Sequence, residues 1–213
     1  ASRFVFMNLE DWNHKAPKEF QEIDKQFLLR LNKLIQSCTQ SFEKYEYSKV
    51  KLELEKFFWQ DFTSNYLEIV KHRIYNAKGD VKRSAQYALY QCLLAILKII
   101  SPITPFITEE IYQTYFKKTE KIKSIHISDW PNKIDFPETG VDEEVWNNFI
   151  EVLDKVRQIK SESQKSMRAE IILTIDKQDQ DDISEVLDDL IAVTNTKEIK
   201  SGKFKVEFVE KDE

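Results

Sequence analysis

The chain has 213 residues, 41% hydrophobic and 32% charged, with three glycines, five prolines and two cysteines. This is a globular composition, long enough to bury a core without cross-links; it excludes collagen-like, linker-like and disulfide-framework chains and argues against a turn-dense sandwich. The net charge of −5 is unevenly spread: residues 1–140 carry 21 Lys and Arg against 18 Asp and Glu (+3), residues 141–213 carry 11 against 19 (−8), so a phosphate-holding patch is expected only in the first part.

Residues 1–9 read as the end of a helix bearing Phe4, Val5, Met7 and Leu9. No N-cap precedes Arg3, so a fragment of a longer protein is expected, and Ala1–Phe4 enters the helical pattern without a signal-peptide pattern. A loop over 10–22 leads to a helix with Asp24 as its expected N-cap and an apolar stripe of Phe27, Leu31, Leu34, Ile35, Cys38 and Phe42. Its polar face shows Lys25, Gln26, Arg30 and Lys33. A longer helix is predicted over 46–75, with Trp59, Phe62, Tyr66, Ile69 and Arg73 on one face and Asp61, Asn65, Glu68 and His72 on another. Gly79 suits the end of that helix and Asp80 the cap of the next, which runs to about Ser101 and is apolar on most sides from Ala88 to Ile100. Its best apolar run, Leu93–Ile100, is interrupted by Lys98 and is too short to span a bilayer.

Pro102 stops this helix and Thr104-Pro105 starts another, where Glu109 and Glu110 read as complements to the helix dipole. Lys123–Pro131 alternates with period two and is predicted extended. A helix follows from about Asp142, and Ser161–Ser166 is a polar connector. Beyond it come a strand over Ala169–Ile175, a helix over Asp181–Ala192 and a strand over Lys203–Val209. The expected fold is mainly α, a helical bundle over 1–131, a connector and helix over 132–166, and a small α/β unit over 167–213.

Catalytic signals are weak. His14, His72 and His126 are scattered without metal-ligand spacing, and no glycine-rich phosphate loop or nucleophile elbow occurs. No catalytic or metal-binding residue is assigned, Cys38 and Cys92 read as buried small hydrophobes, and the chain by itself reads as a binding module. Arg3, Lys25, Arg30 and Lys33 lie near the first helix pair, and Lys71, His72, Arg73 and Tyr75 cluster at the end of the long helix. Such groups stack on and hydrogen-bond to unpaired RNA bases. Composition alone favours the plainer view, that each is a solvated surface charge.

Several collinear stretches change that weighting: Ala1–Leu9, Ile23-Asp-Lys25, Arg30–Leu34, Phe57-Phe-Trp-Gln-Asp-Phe62, Tyr66–Arg73, Pro102–Tyr112 and Ile127–Pro131. Together they resemble the C-terminal region of class I aminoacyl-tRNA synthetases. The Pro-Phe-Ile-Thr-Glu-Glu element is similar to the valine, isoleucine and leucine enzymes, and the elements around Phe62 and Tyr66–Arg73 look most like the valine enzymes.

The resemblance implies an anticodon-binding helix bundle whose partners are the anticodon stem-loop of tRNA(Val) and an upstream catalytic domain of the same chain, in the cytoplasm and away from membranes. Arg3 matches an anticodon-reading Arg of the methionine enzymes. Arg73 occupies a position that is aromatic there, and Gln26 one that is aromatic in many valine enzymes. The implied arrangement has Arg3 and Lys71–Arg73 on bases, with Lys25, Arg30 and Lys33 on phosphates. The HIGH and KMSKS signatures that bind ATP are missing, so ATP with Mg belongs to the parent enzyme, no cofactor is expected here, and the fragment is expected to be inactive alone. The alternatives are the same domain of an isoleucine or leucine enzyme, or a helical protein-interaction module without RNA binding.

Overall fold

The computed structural model describes residues 1–209, and it is mainly helical with a small sheet near the C-terminus. Helix α1 (Ser2–Met7) is followed by a loop and by α2 (Glu22–Glu43), the first long helix of the bundle. The second comprises α3 (Tyr47–Lys56), a ten-residue π-helical segment (Phe57–Tyr66) and α4 (Leu67–Asn76), joined without a break. Helix α5 (Gly79–Ile100) is the third and is buried on most sides, as its sequence predicts. Helices α6 (Pro105–Tyr115) and α7 (Lys117–Glu120) complete this part, and α8 (Glu143–Glu162) packs back on α2.

The π segment follows from where its aromatic residues must point. Phe57, Phe62 and Tyr66 are spaced by five and four residues, and an α-helical five-residue step would turn Phe62 about 140° away from Phe57. The wider i→i+5 turn puts all three on one side. There they surround Phe27 of α2 at ring distances of 5.6, 6.1 and 3.7 Å, with Trp146 of α8 at 5.9 Å. Trp59, predicted on this face, is exposed instead, because the π turn rotates it out.

The C-terminal unit has three strands, β1 (Ile171–Ile175), β2 (Thr196–Ser201) and β3 (Lys205–Phe208), in the order β2-β1-β3. Strand β1 pairs parallel with β2 and antiparallel with β3. Helices α9 (Lys177–Asp182) and α10 (Leu187–Thr194) lie in the crossover from β1 to β2. The sequence pattern did not reveal β2, since Thr196–Ser201 carries Lys, Glu and Lys and buries little beyond Thr196.

Lys160 of α8, fully buried, ties this unit to the helices. Its Nζ donates to the carbonyls of Met167, Ala169 and Thr194 at 3.0, 2.8 and 2.6 Å. Burial pushes its ammonium pKa down to about 8.

Three other expectations are corrected. Lys123–Pro131 is not a strand: it contains a single 3-10 turn at Ile125–Ile127, held by Glu109, whose carboxylate accepts from Ser124 Oγ and the Ile125 amide. Glu109 is therefore a clamp on this segment, more than a dipole complement. Asp80 does not cap α5; Lys78 is the N-cap, Gly79 with φ of 65° opens the helix, and Asp80 sits in its first turn accepting from Arg83. Asp24 does not cap α2 either, because the helix begins at Glu22 and Asp24 points into the core.

Candidate nucleic-acid interface

Of the candidate residues, Arg3 is on α1, Lys25, Gln26, Arg30 and Lys33 are on α2, and Lys71, His72, Arg73 and Tyr75 are at the end of α4. Several contacts seat helix α1: Phe6 stacks on Tyr115 at 3.9 Å and meets Phe116 edge-on at 4.9 Å, the carbonyl of Asn8 at its end accepts from Gln86 of α5 at 2.9 Å, and the ammonium of Lys71 lies 5.8 Å over the ring of Phe4. The last contact brings α1 to α4, so Arg3, exposed and next to Phe4 in the chain, is carried to the side of the molecule where Lys71 lies, with the exposed His72 and Tyr75 on the same turn of α4. His72 is exposed and Tyr75 is 63% exposed, an open ring face suited to stacking. Lys71 is also paired with Glu68 at 2.5 Å across one helical turn.

Beside Tyr75, a groove between the α4–α5 turn and the loop after α1 is lined by Asp11, Lys78, Lys82, Arg83 and Gln86. Lys82 pairs with Asp11 at 2.6 Å and Arg83 with Asp80 at 2.8 Å. The sequence reading passed over Lys78, Lys82 and Arg83. The available signal was three cations within six residues, starting three residues after Tyr75.

Arg73 does not join this surface. The residue is 7% exposed and its side chain points inward. Nη1 and Nη2 donate to the two carboxylate oxygens of Asp24 at 2.8 and 2.7 Å, Nε donates to Asp189 at 2.8 Å, and Nη1 also reaches the Val81 carbonyl at 3.4 Å. Tyr66 completes the network by donating its hydroxyl to Asp24 at 2.7 Å. Burial works against the charge on Arg73, but Asp24 and then Asp189 more than offset it and hold the guanidinium protonated. Burial likewise raises the Tyr66 hydroxyl, with Asp24 adding to the shift, and raises the Asp189 carboxyl, with Arg73 opposing. Assigning Arg73 to a base therefore fails on geometry: a buried bidentate pair would have to be opened first.

Gln26 is corrected for the same reason. It is fully buried, its amide nitrogen donates to Glu22 at 2.8 Å, and it has no face to offer a base.

The expected phosphate contacts on α2 are all in intramolecular pairs. Lys25 binds Glu22 at 2.8 Å. Arg30 binds Asp61 at 3.0 Å and sits 5.7 Å over Trp146. Lys33 pairs with Glu143 at the start of α8. Arg30 and Lys33 thus serve the seam between α2 and α8, whereas Lys33 remains exposed enough for its surface pair to exchange with other anions.

Among the described residues, no group of three His, Cys, Asp or Glu side chains is placed to hold a metal ion, and no helix is long and apolar enough to cross a membrane.

Residues 24–175 match the family model of the anticodon-binding domain of tRNA ligases. The chain is 38% identical to the valine–tRNA ligase of Ehrlichia ruminantium over 212 residues, which is 95% of this chain and 25% of that protein. It is 32% identical to the valine–tRNA ligase of Thermococcus kodakarensis over 173 residues, 79% of this chain and 19% of the relative. It is also 37% identical to the isoleucine–tRNA ligase of Caldicellulosiruptor saccharolyticus over 163 residues, 73% of this chain and 18% of the relative. The chain therefore spans a quarter or less of the length of these relatives. With a helical bundle matched across most of its length, the chain belongs to the family of anticodon-binding domains of tRNA ligases.

Proposed function

We propose that this chain is the tRNA-reading end of a valine–tRNA ligase and holds the anticodon loop of tRNA(Val) at the surface shared by α1, the end of α4 and the start of α5. The observation that carries the reading is the seating of Phe4 under Lys71, which carries Arg3 to the side of the molecule where Lys71 lies, with His72 and Tyr75 on the same turn of α4 beside Lys78, Lys82 and Arg83. In this reading Tyr75 stacks on an unpaired base, Arg3 and His72 reach base edges, and the lysines contact phosphates. In this reading the activation of valine with ATP and magnesium falls to a part of the ligase outside this sequence, which lacks the HIGH and KMSKS signatures that bind ATP, and the chain alone does not charge tRNA. An apolar surface run supports an interface with such a catalytic body: Pro102–Ile107 contains no charged residue, Phe106 is 90% exposed, and Ile107 is also exposed. The setting is the cytoplasm, where the tRNA is.

The test is binding of anticodon stem-loop RNA to the 213-residue chain, measured by fluorescence anisotropy across salt concentrations. Arg3→Ala lowers affinity for the tRNA(Val) loop by about 1–3 kcal/mol with little change for unrelated loops, whereas Tyr75→Ala, which removes a stacking ring, lowers affinity by about 1–3 kcal/mol for any loop with an unpaired base at that place. Lys78→Ala weakens all loops alike and flattens the salt dependence. Equal binding of the tRNA(Val) loop and unrelated hairpins by the wild-type chain rejects the reading. The likeness to an isoleucine–tRNA ligase supports one competing reading, and preference for the tRNA(Ile) loop in the same assay would establish it.

A further inference from the structure

We infer that Asp189, in the acidic C-terminal unit, is a positioning residue for base recognition and acts through Arg73; the inference rests on the RNA-binding function proposed above. Arg73 joins four elements at one side chain: α2 through Asp24, α4 through its own backbone, α5 through the Val81 carbonyl and α10 through Asp189. Lys71 and Tyr75 each lie two residues from Arg73 on α4, about 200° around the helix. When Arg73 is locked inward, both are turned outward together, and His72 beside it is exposed. The rotation of α4 thus sets where the stacking ring and its neighbours stand, and the carboxylates around Arg73 set that rotation.

Of those carboxylates, Asp24 belongs to the bundle and Asp189 does not. Helix α10 is held against the helices at both ends. Asp189 binds Arg73 near its start, the Thr194 carbonyl accepts from Lys160 at its end, and Leu190 is fully buried between them. The C-terminal unit therefore reaches the RNA-facing region from behind. Residues 167–213 carry 7 Lys and Arg against 13 Asp and Glu (−6), a balance unsuited to phosphate contact, and one of these carboxylates binds Arg73.

The experiment uses the whole chain with a loop RNA carrying 2-aminopurine at an unpaired position, whose fluorescence is quenched by stacking. Asp189→Asn leaves the salt slope of binding unchanged, because no phosphate contact is lost. It lowers discrimination between the tRNA(Val) loop and an altered loop by about five-fold or more, the scale of coupling between linked sites, and reduces the quenching. Asp189→Glu keeps the carboxylate and restores both readouts. Leu190→Ala loosens the same helix without touching Arg73 and retains the discrimination. The inference is overturned if Asp189→Asn discriminates and quenches like the wild type, or if Leu190→Ala loses discrimination equally. A wild-type chain that does not distinguish the loops overturns the RNA function itself, a result separable from the other two.

Discussion

Replacing Asp24 by Asn tests the network at the centre of the molecule. Asp24 is fully buried and accepts three hydrogen bonds, one from Tyr66 and two from Arg73. Asn keeps the size and one acceptor oxygen but removes the charge. The Arg73 guanidinium then stays buried with Asp189 as its only anion. Breaking a buried pair by removing one partner costs about 3–5 kcal/mol. The lower end applies, since Asp189 remains at 2.8 Å.

A loss of about 3 kcal/mol against a total of roughly 5–15 leaves the protein folded but measurably weaker. With an m-value near 3 kcal/mol/M, the upper end for urea, the midpoint falls by about 1 M. Tryptophan fluorescence follows the transition, because Trp12 and Trp146 are buried and Trp146 lies 5.9 Å from Phe27 in the same core. Adding Arg73→Met recovers part of the loss, because the harm comes from an uncompensated charge. A midpoint within about 0.3 M of wild type, or a double variant whose loss is the sum of the two single losses, would show that the two residues are not energetically coupled.

Tyr66→Phe keeps the stack on Phe27 and loses only the hydroxyl bond to Asp24, so it destabilises by about 1.5–3 kcal/mol in the same urea assay, and a neutral result contradicts the bond. Lys160 gives a signed pH dependence. Its folded pKa is lowered from 10.5 to about 8, so between those values the unfolded chain binds a proton that the folded chain has released, and stability rises with pH. The difference in unfolding free energy between wild type and Lys160→Met therefore grows by up to about 3 kcal/mol from pH 8 to 10.5, and a flat difference refutes it. Burial, with Glu53 adding, pushes the Cys38 thiol up to about 12, and burial raises Cys92 as well, so a thiol reagent at pH 8 labels neither until the chain unfolds.

Local pattern carries much of this molecule. The stripe on α2, the all-round apolar α5, the Thr104-Pro105 start of α6 and the Asp142 cap of α8 follow from spacing and cap chemistry, which act within a few residues. The exposed candidates Arg3, His72 and Tyr75 were also visible as types suited to RNA. What spacing does not encode is the direction of a charged side chain on a helix that has neighbours on several sides. Arg73 and Tyr75 sit in the same polar, aromatic stretch, yet one is buried by carboxylates 49 and 116 residues away and the other is open to solvent. Asp24 looks like a cap until Tyr66 and Arg73 arrive from the second long helix. The π segment exists because Phe27 needs three rings around it, and β2 because β1 offers a free edge to a strand with little apolar pattern of its own. These choices depend on partners far along the chain, so they were settled only when the helices packed.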